Sequence, residues 1–287
     1  MIVLASGYDV KDSQHKNLET NFRLSSAGDI VLLYAPDAKL LDKIQVGHFS
    51  SDVSCGRDAS GAVAYFTAAT PGAANGQGYT GVTSTPRFMT TPGIYDAPVT
   101  VTLSAETGEV IHYTTDCTTP TASSPVYKEP IPASKNTVIR AIATRDGCLT
   151  GYSNTGTFLF TTDGVNHSVQ VVTLVTDPAN LWDGKTGIYA YGDSFNGSLP
   201  LNEMLLTANY YKSGDAWERA ASFEVFSADT KKEVFQQNID ARIAGGYGRS
   251  RAQKGFNLTA RSEYGKSRMD YKFFDNREYT SYKALVL

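Results

Sequence analysis

The strongest constraint on this chain is the apolar–polar alternation that runs through its middle third. Val99-Thr100-Val101-Thr102-Leu103, Val110-Ile111-His112-Tyr113-Thr114 and Thr137-Val138-Ile139-Arg140-Ala141-Ile142-Ala143 alternate with a period of two, with turns at Thr107-Gly108, between the first two, and at Asp146-Gly147, after the third. A period of two sends successive side chains to opposite faces, so these segments predict half-buried strands and not helices. Short strands divided by turns at this spacing predict a small sandwich. The 17 Tyr and 13 Phe fit the same mainly β reading.

Two polar, turn-rich stretches divide the 287 residues. Thr70-Pro71-Gly72-Ala73-Ala74-Asn75-Gly76-Gln77-Gly78 reads as a linker, and Thr161-Thr162-Asp163-Gly164-Val165-Asn166-His167 as a second. They predict three modules, 1–76, 79–162 and 168–287, each of domain size. The net charge of −3 argues against a nucleic-acid binder, and no apolar run reaches the length of a membrane span. Met1-Ile2-Val3-Leu4 lacks the basic flank of a signal peptide, and both ends read as strands cut from a longer chain. Cys117 and Cys148 lie in one predicted module; a disulfide and two separate thiols both fit. The four His (15, 48, 112, 167) are scattered and suggest no metal site.

The first module holds two strands, Asp29 to Tyr34 and Lys39 to Val46, around a turn at Pro36-Asp37. Its Thr20-Asn21-Phe22-Arg23-Leu24, Ser54-Cys55-Gly56-Arg57 and Thr70-Pro71-Gly72-Ala73-Ala74-Asn75 resemble the second half of a lamin-tail domain. That resemblance implies an immunoglobulin-like sandwich without its first strands. The second module, through Ile111-His112-Tyr113-Thr114-Thr115-Asp116, Pro120-Thr121, Ser124-Pro125-Val126-Tyr127 and Pro130-Ile131, resembles the chitobiase/β-hexosaminidase C-terminal repeat, with Cys117 where the repeat has a turn glycine. Tyr113, Tyr127 and Tyr152 suit either sugar stacking or, three times as readily, packing.

The chemistry concentrates in the third module. Ser168 to Thr176 predicts a buried strand, Asp177-Pro178 caps a short helix through Trp182, Gly187 to Ala190 predicts a strand, and 192–215 a loop. Strands follow at Ala221 to Phe226, Val234-Phe235 and Ile239 to Ile243, with Lys231-Lys232 in a turn. Residues 242–272 carry eight basic and two acidic side chains, net +6, which leaves −9 for the rest. Gly245, Gly246 and Gly248 free the backbone for close approach, and Arg249, Arg251 and Lys254 follow within reach. Guanidiniums, a lysine and open amides suit a polyphosphate; a solvated basic hairpin has the same composition.

Thr176-Asp177-Pro178-Ala179-Asn180-Leu181-Trp182-Asp183, Gly187-Ile188-Tyr189, Trp217-Glu218-Arg219, Gly245-Gly246-Tyr247-Gly248-Arg249, Gln253-Lys254-Gly255-Phe256, Arg261 and Tyr264-Gly265 resemble the spore-coat CotH kinase family. The resemblance implies an incomplete α+β kinase-like domain that uses ATP and Mg2+ to phosphorylate protein Ser/Thr. It implies nucleotide binding by Gly245, Gly246, Arg249, Arg251 and Lys254. Gly248 and Gly255 stand where the family has serines. Glu224 is either an orienting partner for Lys254 or a solvent-facing strand residue. No catalytic or metal residue is assigned, and Asp270 and Asp275 receive no role. Two readings follow: a fragment of an extracellular or cell-surface protein with a CotH-type kinase domain, silent by itself, or a non-catalytic adhesion or scaffold protein that contacts glycan, cell wall or protein.

Overall fold

The computed structural model describes residues 3–7, 18–25, 28–47, 53–165 and 168–287. Met1-Ile2, His15, His48 and the Asn166-His167 end of the second linker lie outside them. Among the described residues the architecture is mainly β, with two short α-helices. The chain divides into two compact units, residues 1–83 with 145–151, and residues 84–144 with 152–287.

In the first unit, strands β1 (Asp29–Tyr34) and β2 (Leu40–Val46) form the predicted antiparallel hairpin. Every residue of β1 is exposed, Ile30, Leu32 and Leu33 among them. A second hairpin joins β3 (Ser54–Arg57) to β4 (Val63–Phe66). Gly81–Val82 pairs in parallel with Cys148–Leu149, so the Asp146-Gly147 turn packs with this unit.

The second unit begins with the alternating segments. Strands β5 (Gly93–Tyr95), β6 (Val99–Val101), β7 (Leu103–Ser104), β8 (Val110–Thr114), β9 (Ile131–Ala133), β10 (Thr137–Thr144) and β11 (Asn154–Phe160) build it. One sheet runs in the order β8-β10-β11-β5; β6 pairs with β9, and β7 with Arg87–Phe88. The inward positions Val101, Leu103, Ile111, Ile139, Ala141, Phe158 and Phe160 make one core, as the alternation requires. The predicted strand 99–103 is split at Thr102. Its N–H donates to Thr90 Oγ1 (3.1 Å) and its carbonyl accepts from Met89 N (2.8 Å), which passes the chain from one strand pair to another. Tyr113 and Tyr127 pack edge to face at 6.4 Å against this core, and Tyr127 Oη accepts from Leu103 N. Packing engages both of these half-buried rings. His112 is buried, donating from Nδ1 to the Ser124 carbonyl (2.8 Å) and pairing through Nε2 with the Thr144 hydroxyl. Cys55, Cys117 and Cys148 are free thiols.

The third predicted module holds an antiparallel sheet of β12 (Val171–Val175), β13 (Arg219–Phe226), β14 (Glu233–Ile243), β15 (Phe256–Thr259) and β16 (Ala284–Val286), in that order. Ala221, Phe223, Val225, Ile239, Leu258 and Met269 form its core, and Phe273 closes it with rings 5.8 Å from Phe223 and 5.2 Å from Phe235. Helix α1 (Pro178–Trp182) forms as predicted, the Asp177 side chain accepting from Ala179 N. Gly187 to Ala190 is no strand: Ile188 N and Tyr189 N donate to Asn180 O and Leu181 O, so the segment folds back on α1 and joins no sheet. The predicted loop 192–215 contains helix α2 (Leu201–Thr207) and a 3-10 turn, Asn209–Tyr211.

On β13, both faces are buried from Ala221 to Phe226. Phe223 and Val225 face the sheet's own core. Ser222, Glu224 and Phe226 alternate onto the other side, where Glu224 meets Thr157 of β11. The contact continues along the seam between the alternating module and the sheet. Asn238 Nδ2 donates to Ser153 O (2.8 Å), and Thr119 N to Asp177 Oδ2 (2.8 Å). Ile94 N donates to Lys231 O (2.7 Å) and Glu233 N to Pro92 O (3.0 Å), so β5 pairs with the turn between β13 and β14.

Candidate functional site

The glycine-basic stretch is the connection between β14 and β15. Ala244 N donates to Gly255 O (2.8 Å) and closes its base. Gly245 turns the chain at φ +86°, a left-handed conformation that side chains resist. A 3-10 turn, Tyr247–Ser250, follows. Gly245 and Gly246 are exposed, with open space where their Cβ atoms would lie.

Lys254 lies at the heart of the site. Its Nζ donates to Arg251 O (2.7 Å) and stands 4.7 Å and 4.4 Å from the ring centres of Tyr189 and Tyr210. Such positions attract a cation through the ring quadrupole. Tyr189 anchors the loop backbone as well, donating to Ala252 O (2.8 Å) and accepting from Lys254 N (3.0 Å). Burial holds the Lys254 ammonium below its ordinary pKa.

Beside it opens a cavity of about 570 Å³, lined by Trp182, Tyr189, Tyr191, Tyr210, Arg251 and Lys254 among others. Trp182 and Tyr191 are each 61% exposed, so ring surface is open. No acidic side chain lines this cavity among the described residues. Two cations without a lining carboxylate, next to open aromatic surface, suit an anion that carries a flat ring. The residues present thus fit a nucleotide.

Sequence reasoning grouped five residues here, and the structure divides them. Lys254 and Arg251 line the cavity. Arg249 is spent on the backbone: Nε donates to Gly245 O, and Nη1 to Tyr211 O (3.0 Å) and Lys212 O (3.2 Å). It braces the loop against the Asn209–Tyr211 turn. Gly245 and Gly246 shape the loop and do not line the cavity. The aromatic walls were not read from sequence; the only signal was the density of Trp and Tyr across 182–211.

Glu224 is neither of the things expected of it. It is 0% exposed and binds Thr157 and Thr173 rather than Lys254. A second polar hollow, about 360 Å³, holds Asp215, Glu218, Asp240, Arg261, Glu263 and Tyr264. Arg261 pairs with Glu218 and, at 3.3 Å, with Asp240, to which Tyr264 Oη donates (2.8 Å). Burial raises the Asp240 carboxyl, and the hydrogen bond to Glu218 raises Arg261. This internally paired network ties the turn before β13 to β14 and the segment after β15. Among the described residues, no group of three or more His, Cys, Asp or Glu is placed to hold a metal ion, and no helix is long and apolar enough to cross a membrane.

A 50-residue stretch of the chain is 54% identical to an endoglucanase of Clostridium saccharobutylicum, covering 17% of this chain and 11% of that protein. The chain therefore spans only a small part of that relative. The residues that alternate most clearly, 90–157, match the chitobiase/beta-hexosaminidase C-terminal domain family.

Proposed function

We propose that the module from residue 168 is the phosphate-gripping part of a CotH-type kinase domain, carried by an extracellular or cell-surface multidomain protein. One observation supports this reading above the others: Lys254 and Arg251 reach an aromatic-walled cavity with no acidic lining. Lys254 contacts the phosphates, Arg251 adds charge from the rim, and Arg249 with Gly245 and Gly246 sets the loop's shape. Trp182 and Tyr191 offer ring surface to the base. ATP with Mg2+ supplies the phosphoryl group that the parent transfers to protein Ser/Thr. No catalytic or metal residue of this chain is assigned a step.

Titration of the chain with ATP tests the reading. Lys254→Ala is expected to weaken binding by about 10- to 100-fold, the scale of a charge-assisted hydrogen bond. Absence of ATP binding at millimolar concentration, or unchanged affinity in the variant, overturns it. The match of residues 90–157 and the endoglucanase similarity favour a second reading, a non-catalytic surface protein that binds glycan. Retention on a glycan array without ATP binding would decide for it.

A further inference from the structure

The seam between the alternating module and the β12–β16 sheet holds a carboxyl with nowhere to discharge. Glu224 has no solvent exposure. Oε1 accepts from Thr157 N (2.9 Å); Oε2 accepts from the Thr157 hydroxyl and from Thr173 Oγ1 (2.8 Å). Thr157 belongs to β11 of the alternating module, Thr173 to β12 of the sheet. One side chain thus joins both modules, through neutral partners only.

The surrounding charge does not compensate it. From β14 comes Glu233, half-buried and with no ion pair among the described residues; it lines a hollow of about 350 Å³ with Arg87, whose guanidinium pairs instead with Glu106 at 3.1 Å. Asp240 and Arg242 of the same strand belong to the cluster around Glu218 and Arg261. β5, β11 and β12 contain no charged residue. Arg140 on β10 donates to the Cys117 carbonyl (2.8 Å), and Lys232 lies 3.6 Å over the Tyr95 ring. Arg219, on the Glu224 strand, donates to Thr186 O.

We propose that Glu224 is a proton-operated clasp: protonated, it locks the alternating module to the sheet; ionised, beside Glu233 and without a cation, it loosens the seam. A neutral carboxyl donates through one oxygen to a threonine hydroxyl, which both donates and accepts, so all three contacts persist with a proton present. Loss of that proton leaves a buried charge. Burial pushes Glu224 to about 7, and burial with the nearby Glu224 pushes Glu233 to about 7. Both lie above the ordinary value of 4.5, so the folded seam binds protons more tightly than the unfolded chain. The contribution is full below about 4.5 and is lost as pH rises through about 7. This inference is independent of the nucleotide reading.

The Thr157 amide, a direct donor to Glu224, reports the clasp by hydrogen exchange. In the whole chain its protection, relative to other amides of the alternating-module core, is expected to fall ~10-fold or more between pH 6 and 8.5. Glu224→Gln is expected to abolish that dependence. Should that variant fail to fold, Glu233→Gln leaves the clasp in place, removes its like-charged neighbour and shifts the transition to lower pH, because Glu224 then ionises more readily. Flat wild-type protection across this range, an unaltered pH dependence in Glu224→Gln, or an unmoved transition in Glu233→Gln overturns the proposal.

Discussion

Phe158→Ala, a substitution in the alternating module, should lower the melting temperature of the sheet module next to it. Phe158 is 0% exposed, with Phe88 and Tyr95 rings at 6.0 Å and 6.2 Å. Truncation of a buried phenylalanine costs about 3–5 kcal/mol, because the cavity collapses only partly. The two modules lie in one compact unit of about 200 residues. A unit of that size loses about 2–4 °C per kcal/mol if it unfolds as one, so the midpoint should fall by roughly 6–20 °C. The chain offers a clean reporter, since both its tryptophans, Trp182 and Trp217, lie in the sheet module and neither lies near Phe158 in sequence. Thermal unfolding followed by tryptophan fluorescence therefore reads the sheet, while far-UV circular dichroism reads the whole chain. The seam contacts of Glu224, Asn238 and the β5 pairing make the tryptophan midpoint move with the mutation. An unchanged tryptophan midpoint, with only part of the dichroism signal melting earlier, would show that the modules unfold separately and would refute the reasoning.

Two further outcomes test individual residues. Cys117 sits at φ +67°, where the repeat has a glycine, so Cys117→Gly should relieve left-handed strain and stabilise the second unit by about 0.5–1 kcal/mol; an equal or lower unfolding midpoint counts against that account. Arg249→Ala should speed hydrogen exchange in residues 245–250 by ~10-fold, since two backbone anchors on Tyr211 and Lys212 are lost, with the thermal midpoint nearly unchanged; an unaltered loop would mean that Arg249 is not its brace.

Much of the fold was legible because local rules and tertiary packing agree. The alternation at 110–114 and 137–143 became β8 and β10 with the inward residues in the core. Asp177-Pro178 capped α1 because a side-chain acceptor and a residue without an N–H both suit a first turn. The failures lie where the deciding partner is distant. Gly187 to Ala190 looks like a strand by composition, yet α1 accepts its backbone hydrogen bonds before any sheet does. Ala221-Ser222-Phe223-Glu224-Val225-Phe226 reads as an ordinary strand with Glu224 either toward Lys254 or toward water. The layer that covers that face, Thr157 on β11, is 67 residues earlier, and nothing local announces it.

The candidate site shows the same division at the scale of single side chains. Composition points to this loop, because glycines followed by arginines and a lysine are visible without a structure. It had no means to distinguish Arg249 from Lys254, since both are cations in reach of the same turn. What separates them is which acceptors the fold brings near. Carbonyls of Tyr211 and Lys212 come to Arg249 and take up its donors; the rings of Tyr189 and Tyr210 come to Lys254. A ring face holds a cation in place and accepts no proton, so of the ammonium's three donors Arg251 O engages one. Two of its donors are thus left without a protein acceptor among the described residues, whereas Arg249 gives its donors to the carbonyls of Gly245, Tyr211 and Lys212. The same placement explains why Arg249 and Lys254 should respond differently to substitution: loss of the arginine appears as loop motion, and loss of the lysine as lost affinity with the loop unchanged.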